Sequence, residues 1–158
     1  MEDSFDSLDV LQIATQLEDA GREFYENLAA HAGVEIIAGL CRTLAEEERR
    51  HQTIFQATRN RLSLQSEERL WEPHEYAYLN SLVQTMVLTD LRGSLEAVAG
   101  GDVRRLLDLA IQFEKDSILF YAELHEVVGD EHVPAISAII REEKSHVQSL
   151  AEARAAVT

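Results

Sequence analysis

Four glutamates and two histidines recur in this chain at matched spacing. Glu18 is followed seven residues on by Tyr25, and Glu48 three residues on by His51. Glu114 with Tyr121, and Glu143 with His146, repeat the pattern at offsets of 96 and 95 residues. On a helix, which turns about 100° and rises about 1.5 Å per residue, positions three apart lie one turn removed on one face, so a carboxylate and an imidazole can grip one cation together. Two such Glu-x-x-His pairs, with one further Glu from each of two other helices, form the donor set with which helical bundles hold two iron or two manganese ions. Hard carboxylates with two imidazoles and no thiolate suit Fe or Mn rather than Zn or Cu(I). Two Fe ions per chain are expected, with Mn as the alternative.

A single Glu-x-x-His is a weak signal in so acidic a chain. The weight comes from the register: the same two copies also align Ala14 with Ala110, Gln16 with Gln112, Phe24 with Phe120 and Leu28 with Leu124. Seven residues make nearly two turns, so Tyr25 shares a face with Glu18, and Tyr121 with Glu114, and each Tyr is expected to hold or shield its neighbouring carboxylate. Two residues on antiparallel helices come level when the turn lies midway between them. The midpoint of Glu18 and Glu48 is Gly33, and that of Glu114 and Glu143 falls at Val128 and Gly129. Both lie on or beside a glycine, a residue suited to turns. If the six donors were merely solvated face residues, their convergence on inward faces would have no cause, and buried carboxylates without a counter-charge are costly.

The elements that must position these groups are helical. The chain has 158 residues, 46% of them hydrophobic, with two Pro and seven Gly, which suits one all-α domain with a real core. The first helix is expected from near Ser7, carrying Leu8, Leu11, Ala14, Leu17, Phe24 and Leu28 inward before Gly33. A second should run from about Val34 to Leu62 through Ile37, Leu40, Leu44, Ile54 and Phe55. Residues 63–101 form the connection, with Pro73 marking a break, Tyr76 to Leu88 a shorter helix, Trp71 an anchor and Gly100-Gly101 the end. Asp102 can cap the third helix, which carries Leu106, Leu109, Phe113 and Leu124, and the fourth begins near Val133 with Pro134 in its first turn. The expected architecture is a four-helix bundle of two antiparallel hairpins, 1–62 and 102–158, joined by a long crossover, which is the ferritin-like topology.

The net charge of −15 argues against nucleic acid and anionic membranes as partners and favours the approach of cations. No apolar run reaches the length of a membrane span, the acidic N-terminus lacks the blocks of a signal peptide, and one Cys leaves no intrachain disulfide, so a cytoplasmic protein is expected. Cys41, seven residues before Glu48, reads as a small buried core residue. Glu47 and Glu142 precede the central Glu in both copies but point about 100° away, towards surface or inter-helix roles. His31, His74, His125 and His132 have no Glu three residues before them and are expected to be exposed.

Through Glu18-x6-Tyr25, Glu-Glu-Glu-Arg-Arg-His ending at His51, Glu114-x6-Tyr121 and Arg-Glu-Glu-Lys-Ser-His ending at His146, the chain resembles the rubrerythrin branch of the ferritin-like superfamily. The resemblance implies a di-iron site in which Glu48 and Glu143 bridge the metals, Glu18 and Glu114 each bind one, and His51 and His146 each complete one. Tyr25 and Tyr121 become partners that orient carboxylates. It implies reduction of hydrogen peroxide or dioxygen by electrons from an external donor. Two departures stand out. Rubrerythrins usually continue into a rubredoxin-like iron domain held by four cysteines, and with one Cys in these 158 residues no built-in relay of that kind is expected here. They also usually carry a second Glu three residues after the helix-three ligand, letting one iron shift between ligands; here that position is Ser117, and its repeat partner is Gly21. These small residues leave space for a small oxidant or serve close helix packing. The alternatives to an oxidoreductase are a ferroxidase in iron storage or detoxification and a non-catalytic, metal-stabilised binding protein. A homo-oligomer, most simply a dimer, is expected.

Overall fold

The computed structural model describes residues 6–64, 72–85 and 102–157. The first helix, α1, spans Ser7–His31. Asp6 starts it: its carboxylate accepts from the Asp9 amide at 2.9 Å while Asp9 returns the bond to the Asp6 amide, a reciprocal capping box. Its apolar positions fall at helical spacing, and Val10, Leu11, Ala14, Leu17, Phe24 and Leu28 are buried. Leu8 is only half-buried, because it sits in the first turn at the end of the bundle. After His31 the chain reverses through Gly33, whose φ of 67° is the left-handed conformation that ends helices at low cost. The second helix, α2, then runs over Glu35–Ser63.

The short helix α3 spans Pro73–Thr85. This corrects the expected start at Tyr76: Pro73 opens the helix instead of breaking it, since a first-turn residue needs no amide donor and its fixed φ suits the helix. The Glu72 amide donates to Glu75, closing that turn. Trp71, Leu88 and Gly100-Gly101 lie outside the described residues. Asp102 caps the next helix, α4, over Val103–Val127, by accepting from the Arg105 amide at 3.1 Å. Helix α5 spans Val133–Ala156 with Pro134 in its first turn. At the second turn the Gly129 carbonyl accepts from the His132 amide at 2.8 Å.

Helix α1 packs along α2, and α4 along α5; the hairpins meet through α1 on α4 and α2 on α5, while α3 lies on α4. The core between them takes Leu17, Phe24, Leu44, Phe55, Leu106, Phe113, Phe120, Ile139 and Leu150. Leu79 fixes α3 by its own burial. Among the described residues there is no strand, and no helix is long and apolar enough to cross a membrane. Cys41 is buried, with its thiol pushed up to about 12 by burial, so it acts as core and not as a nucleophile. His31 and His74 are exposed and His125 is partly so. His132 departs from expectation: at the α4–α5 turn it is only 4% exposed, because the residue that starts α5 is folded under the turn, with Nε2 3.1 Å from Glu131.

Candidate metal centre

All six expected donors converge in the middle of the bundle. Glu18, Glu48, Glu114 and Glu143 are 0–1% exposed, His51 is fully buried and His146 is 3% exposed. They form two overlapping groups, Glu18 with Glu48, His51 and Glu143, and Glu114 with Glu48, Glu143 and His146. Within each group one donor atom per residue lies within 4.8 Å of the others, and Glu48 and Glu143 belong to both. The two imidazoles stack with centroids 5.8 Å apart and planes 19° from parallel.

Each imidazole has an inner and an outer nitrogen with different surroundings. His51 Nδ1 lies 2.9 Å from Glu143 Oε1 and 3.5 Å from Glu18. His146 Nδ1 lies 3.0 Å from Glu143 Oε2, 3.4 Å from Glu48 and 3.5 Å from Glu114. The outer nitrogens reach across to the opposite hairpin: His51 Nε2 lies 2.7 Å from Glu142 Oε2, and His146 Nε2 2.8 Å from Glu47 Oε2. Since an ionised carboxylate only accepts, each Nε2 carries the hydrogen and donates it, so a neutral ring aims the Nδ1 lone pair at the carboxylates.

That arrangement calls for positive charge. Oxygens of Glu18, Glu48, Glu114 and Glu143, together with both Nδ1 atoms, are buried without a hydrogen-bond partner. Four carboxylates in a dry interior must be neutralised by protons or metal. With protons alone the ionisation is forced far from normal. His51 rises to about 10 and His146 to about 11, because the carboxylates around them outweigh burial, which pulls the other way. Burial and the neighbouring Glu143 lift Glu114 to about 8, and burial with Glu18 and Glu143 raises Glu48. Glu143 is lowered: burial and Glu18 push it up, but contacts with both imidazoles prevail. Two divalent cations would neutralise the four carboxylates and give these orphaned carboxylate and Nδ1 atoms a partner, so the donor set fits a di-metal centre.

The tyrosines correct one expectation. Tyr25 donates to Glu114, and Tyr121 donates to Glu18, so each serves the opposite hairpin and not its own helix neighbour. Seven residues along one helix separate Tyr from Glu by about 10 Å, too far to touch, whereas the pseudo-twofold packing brings the other half's Glu level. Both phenols lie well above their ordinary range through burial and the adjacent carboxylates, and so remain proton donors. The Tyr121 ring rests on Phe55 with centroids 4.9 Å apart.

Of the two readings of Gly21, packing is the one realised. A Cβ there would lie 2.8 Å from Phe113 Cε1 and 3.0 Å from Glu48 Oε2, so no room for an oxidant exists at that position. Its counterpart Ser117 is 2% exposed, with its hydroxyl unpartnered. Glu47 and Glu142, expected in surface or inter-helix roles, each reach across to the imidazole of the opposite hairpin. The signal was their recurrence in both copies, on the helix side that turns towards the other hairpin.

A helical bundle holding paired carboxylates and two Glu-x-x-His motifs between two hairpins is the architecture of ferritin-like diiron-carboxylate proteins. The family model of rubrerythrin matches residues 9–154, and the chain belongs to that family. A solved structure described as a ferritin-like diiron-carboxylate protein from Thermotoga maritima is similar over 100% of both chains, with 25% identity and a TM-score of 0.74. No curated protein matches.

Proposed function

We propose that this chain is a di-iron carboxylate oxidoreductase that reduces hydrogen peroxide or dioxygen with electrons from an external donor. The observation that carries the reading is the pair of overlapping donor groups sharing Glu48 and Glu143. Glu48 and Glu143 would be shared between the two metal positions, with Glu18 and His51 holding one and Glu114 and His146 holding the other. Iron bound by these residues would supply the two electrons that reduction of a small oxidant needs. Mn fits the same donors.

The protein's own residues do the rest. Tyr121 and Tyr25 fix the outer carboxylates of Glu18 and Glu114 through their hydroxyl protons. Glu142 and Glu47 hold the two Nε2 hydrogens, which keeps each Nδ1 free to coordinate. The buried rings of Phe113, against Gly21 beside Glu48, and of Phe55, on Tyr121, keep the surroundings apolar.

A ferroxidase role is the second reading. It is favoured by Ser117, which provides no spare carboxylate for an iron to move onto, and by the acidic exterior that draws in cations. Rapid mixing of the anaerobic Fe(II)-loaded protein with peroxide and with oxygen, followed by absorbance and particle size, separates the readings. Faster oxidation by peroxide, with both irons retained, supports the oxidoreductase. Preferential reaction with oxygen and accumulation of iron in a hollow multimer supports the ferroxidase. Bound metal with no spectral response to either oxidant overturns both in favour of a metal-stabilised binding protein.

A further inference from the structure

The inner donors are paired by the repeat, but what lies behind them is not. His51 Nε2 donates to Glu142 Oε2, and Arg50 Nη2 donates to that same oxygen. On the other side His146 Nε2 donates to Glu47 Oε2, and among the described residues the imidazole is the one partner found for that carboxylate. The position equivalent to Arg50 in the second copy is Ser145, which is exposed and carries no charge.

A carboxylate accepting from the outer nitrogen makes an imidazole a stronger donor at the inner one. A guanidinium on the same oxygen withdraws part of that negative charge. We infer that Glu47 and Glu142 are positioning residues that tune His146 and His51, and that Arg50 makes the two metal positions unequal, the His146 position being the more electron-rich. The inference rests on the di-metal reading above. Both carboxylates come from the hairpin opposite their imidazole, so each metal position depends on both halves of the chain. The Arg50 pair is about half exposed, with side-chain exposures of 53% and 34%, so solvent keeps its effect modest.

Anaerobic titration of the full chain with Fe(II), followed by calorimetry and by Mössbauer spectroscopy of the saturated protein, tests the assignment. The wild type should take up two ions in two steps and show two quadrupole doublets. Glu47→Gln should weaken the tighter step by about 10- to 100-fold, while Glu142→Gln weakens the looser one. Arg50→Ser should tighten the looser step by up to about fivefold and draw the doublets together. Ser145→Arg, which places a guanidinium within reach of Glu47, should loosen the tighter step by a similar factor. Steps and doublets unmoved by Arg50→Ser, or a Glu47→Gln variant that weakens only the looser step, would overturn the inference. A variant that lowers thermal stability while leaving both doublets in place would do the same, since that is a structural effect alone. Fewer than two ions in the wild type would instead remove the di-metal reading beneath it.

Discussion

The two hairpins supply equal donors to the centre but unequal surroundings. From α1 and α2 come Glu18, Tyr25, Glu48 and His51; from α4 and α5 come Glu114, Tyr121, Glu143 and His146. Around them, Gly21 is pressed against Phe113 where the second copy has Ser117, and Arg50 stands where it has Ser145. The first turn uses a left-handed Gly33, whereas the second, at Val128 and Gly129, does not need one. A cluster of buried carboxylates and imidazoles that fits a di-metal centre constrains the donors in both copies alike. Packing needs only that the whole be filled, so the neighbours were free to diverge.

The largest test of the shared part is removal of metal. Stabilisation by a ligand present at a hundred times its dissociation constant is about 2.7 kcal/mol, and about 2–4 °C per kcal/mol is typical at this size, so chelation should lower Tm by about 5–10 °C. Glu48→Gln and Glu143→Gln should shrink that difference to a similar degree, as each belongs to both donor groups. An apo protein that melts no lower than the loaded one would sink the reading.

The chelated protein should also have a distinctive pH dependence. His51 and His146, raised from 6.5 to about 10 and about 11, contribute stability that is complete below 6.5 and is lost as pH rises through those values. Glu114, raised from 4.5 to about 8, holds its proton more tightly when folded, so stability also falls between those pH values. All three effects have one sign, and the metal-free protein should melt at progressively lower temperature from about pH 5 to pH 10. Metal uptake must displace the same protons, so binding near pH 7 should release them, measurable by calorimetry in buffers of different ionisation enthalpy. Proton uptake on binding would contradict the arrangement.

The crossed phenols sharpen the comparison at the next scale. Tyr25→Phe and Tyr121→Phe each remove a hydrogen bond to a carboxylate of the other hairpin. A bond to a charged group contributes about 1.5–3 kcal/mol, against about 1 kcal/mol for a neutral one. At pH 7 Glu114 keeps its proton without metal and is a carboxylate with it, so Tyr25→Phe should cost more in the loaded protein than in the chelated one. Urea unfolding of both forms measures the two losses. An equal cost in both would mean that the phenol does not bear on the charged state of Glu114.

How much of this was legible in the sequence follows from what is local. Helix limits at Asp6, Gly33, Asp102 and Val133 depend on cap and turn chemistry within a few residues, and they were readable to within about a turn. The donors were readable because a metal fixes residue types and a helix fixes spacing. The partners of Tyr25, Tyr121, Glu47 and Glu142 were not, since each lies on the opposite hairpin and sequence spacing says nothing about the register between hairpins. His132 was misjudged for the same reason: its burial is a property of how the α4–α5 turn folds back.

The smallest expected effects come from the diverged pair, and their signs should oppose. At Gly21 an added Cβ meets Phe113 at 2.8 Å and Glu48 at 3.0 Å. Overpacking of a core costs about 1–3 kcal/mol, while replacing Gly by Ala within a helix returns about 1 kcal/mol, so Gly21→Ala should destabilise by up to about 2 kcal/mol net. It should also loosen metal binding, because Glu48 must shift. Ser117 lacks that conflict: its hydroxyl is already buried and unpartnered, and an unmet buried polar group costs about 1–3 kcal/mol. Ser117→Ala should therefore be neutral or stabilising by about 1 kcal/mol, with both metals retained. Chemical denaturation of the two variants, beside their metal content, reads both signs. If Ser117→Ala instead destabilises, or lowers metal content as Gly21→Ala does, the hydroxyl has a partner when metal is bound, and the surroundings of the two positions are more alike than their residues suggest.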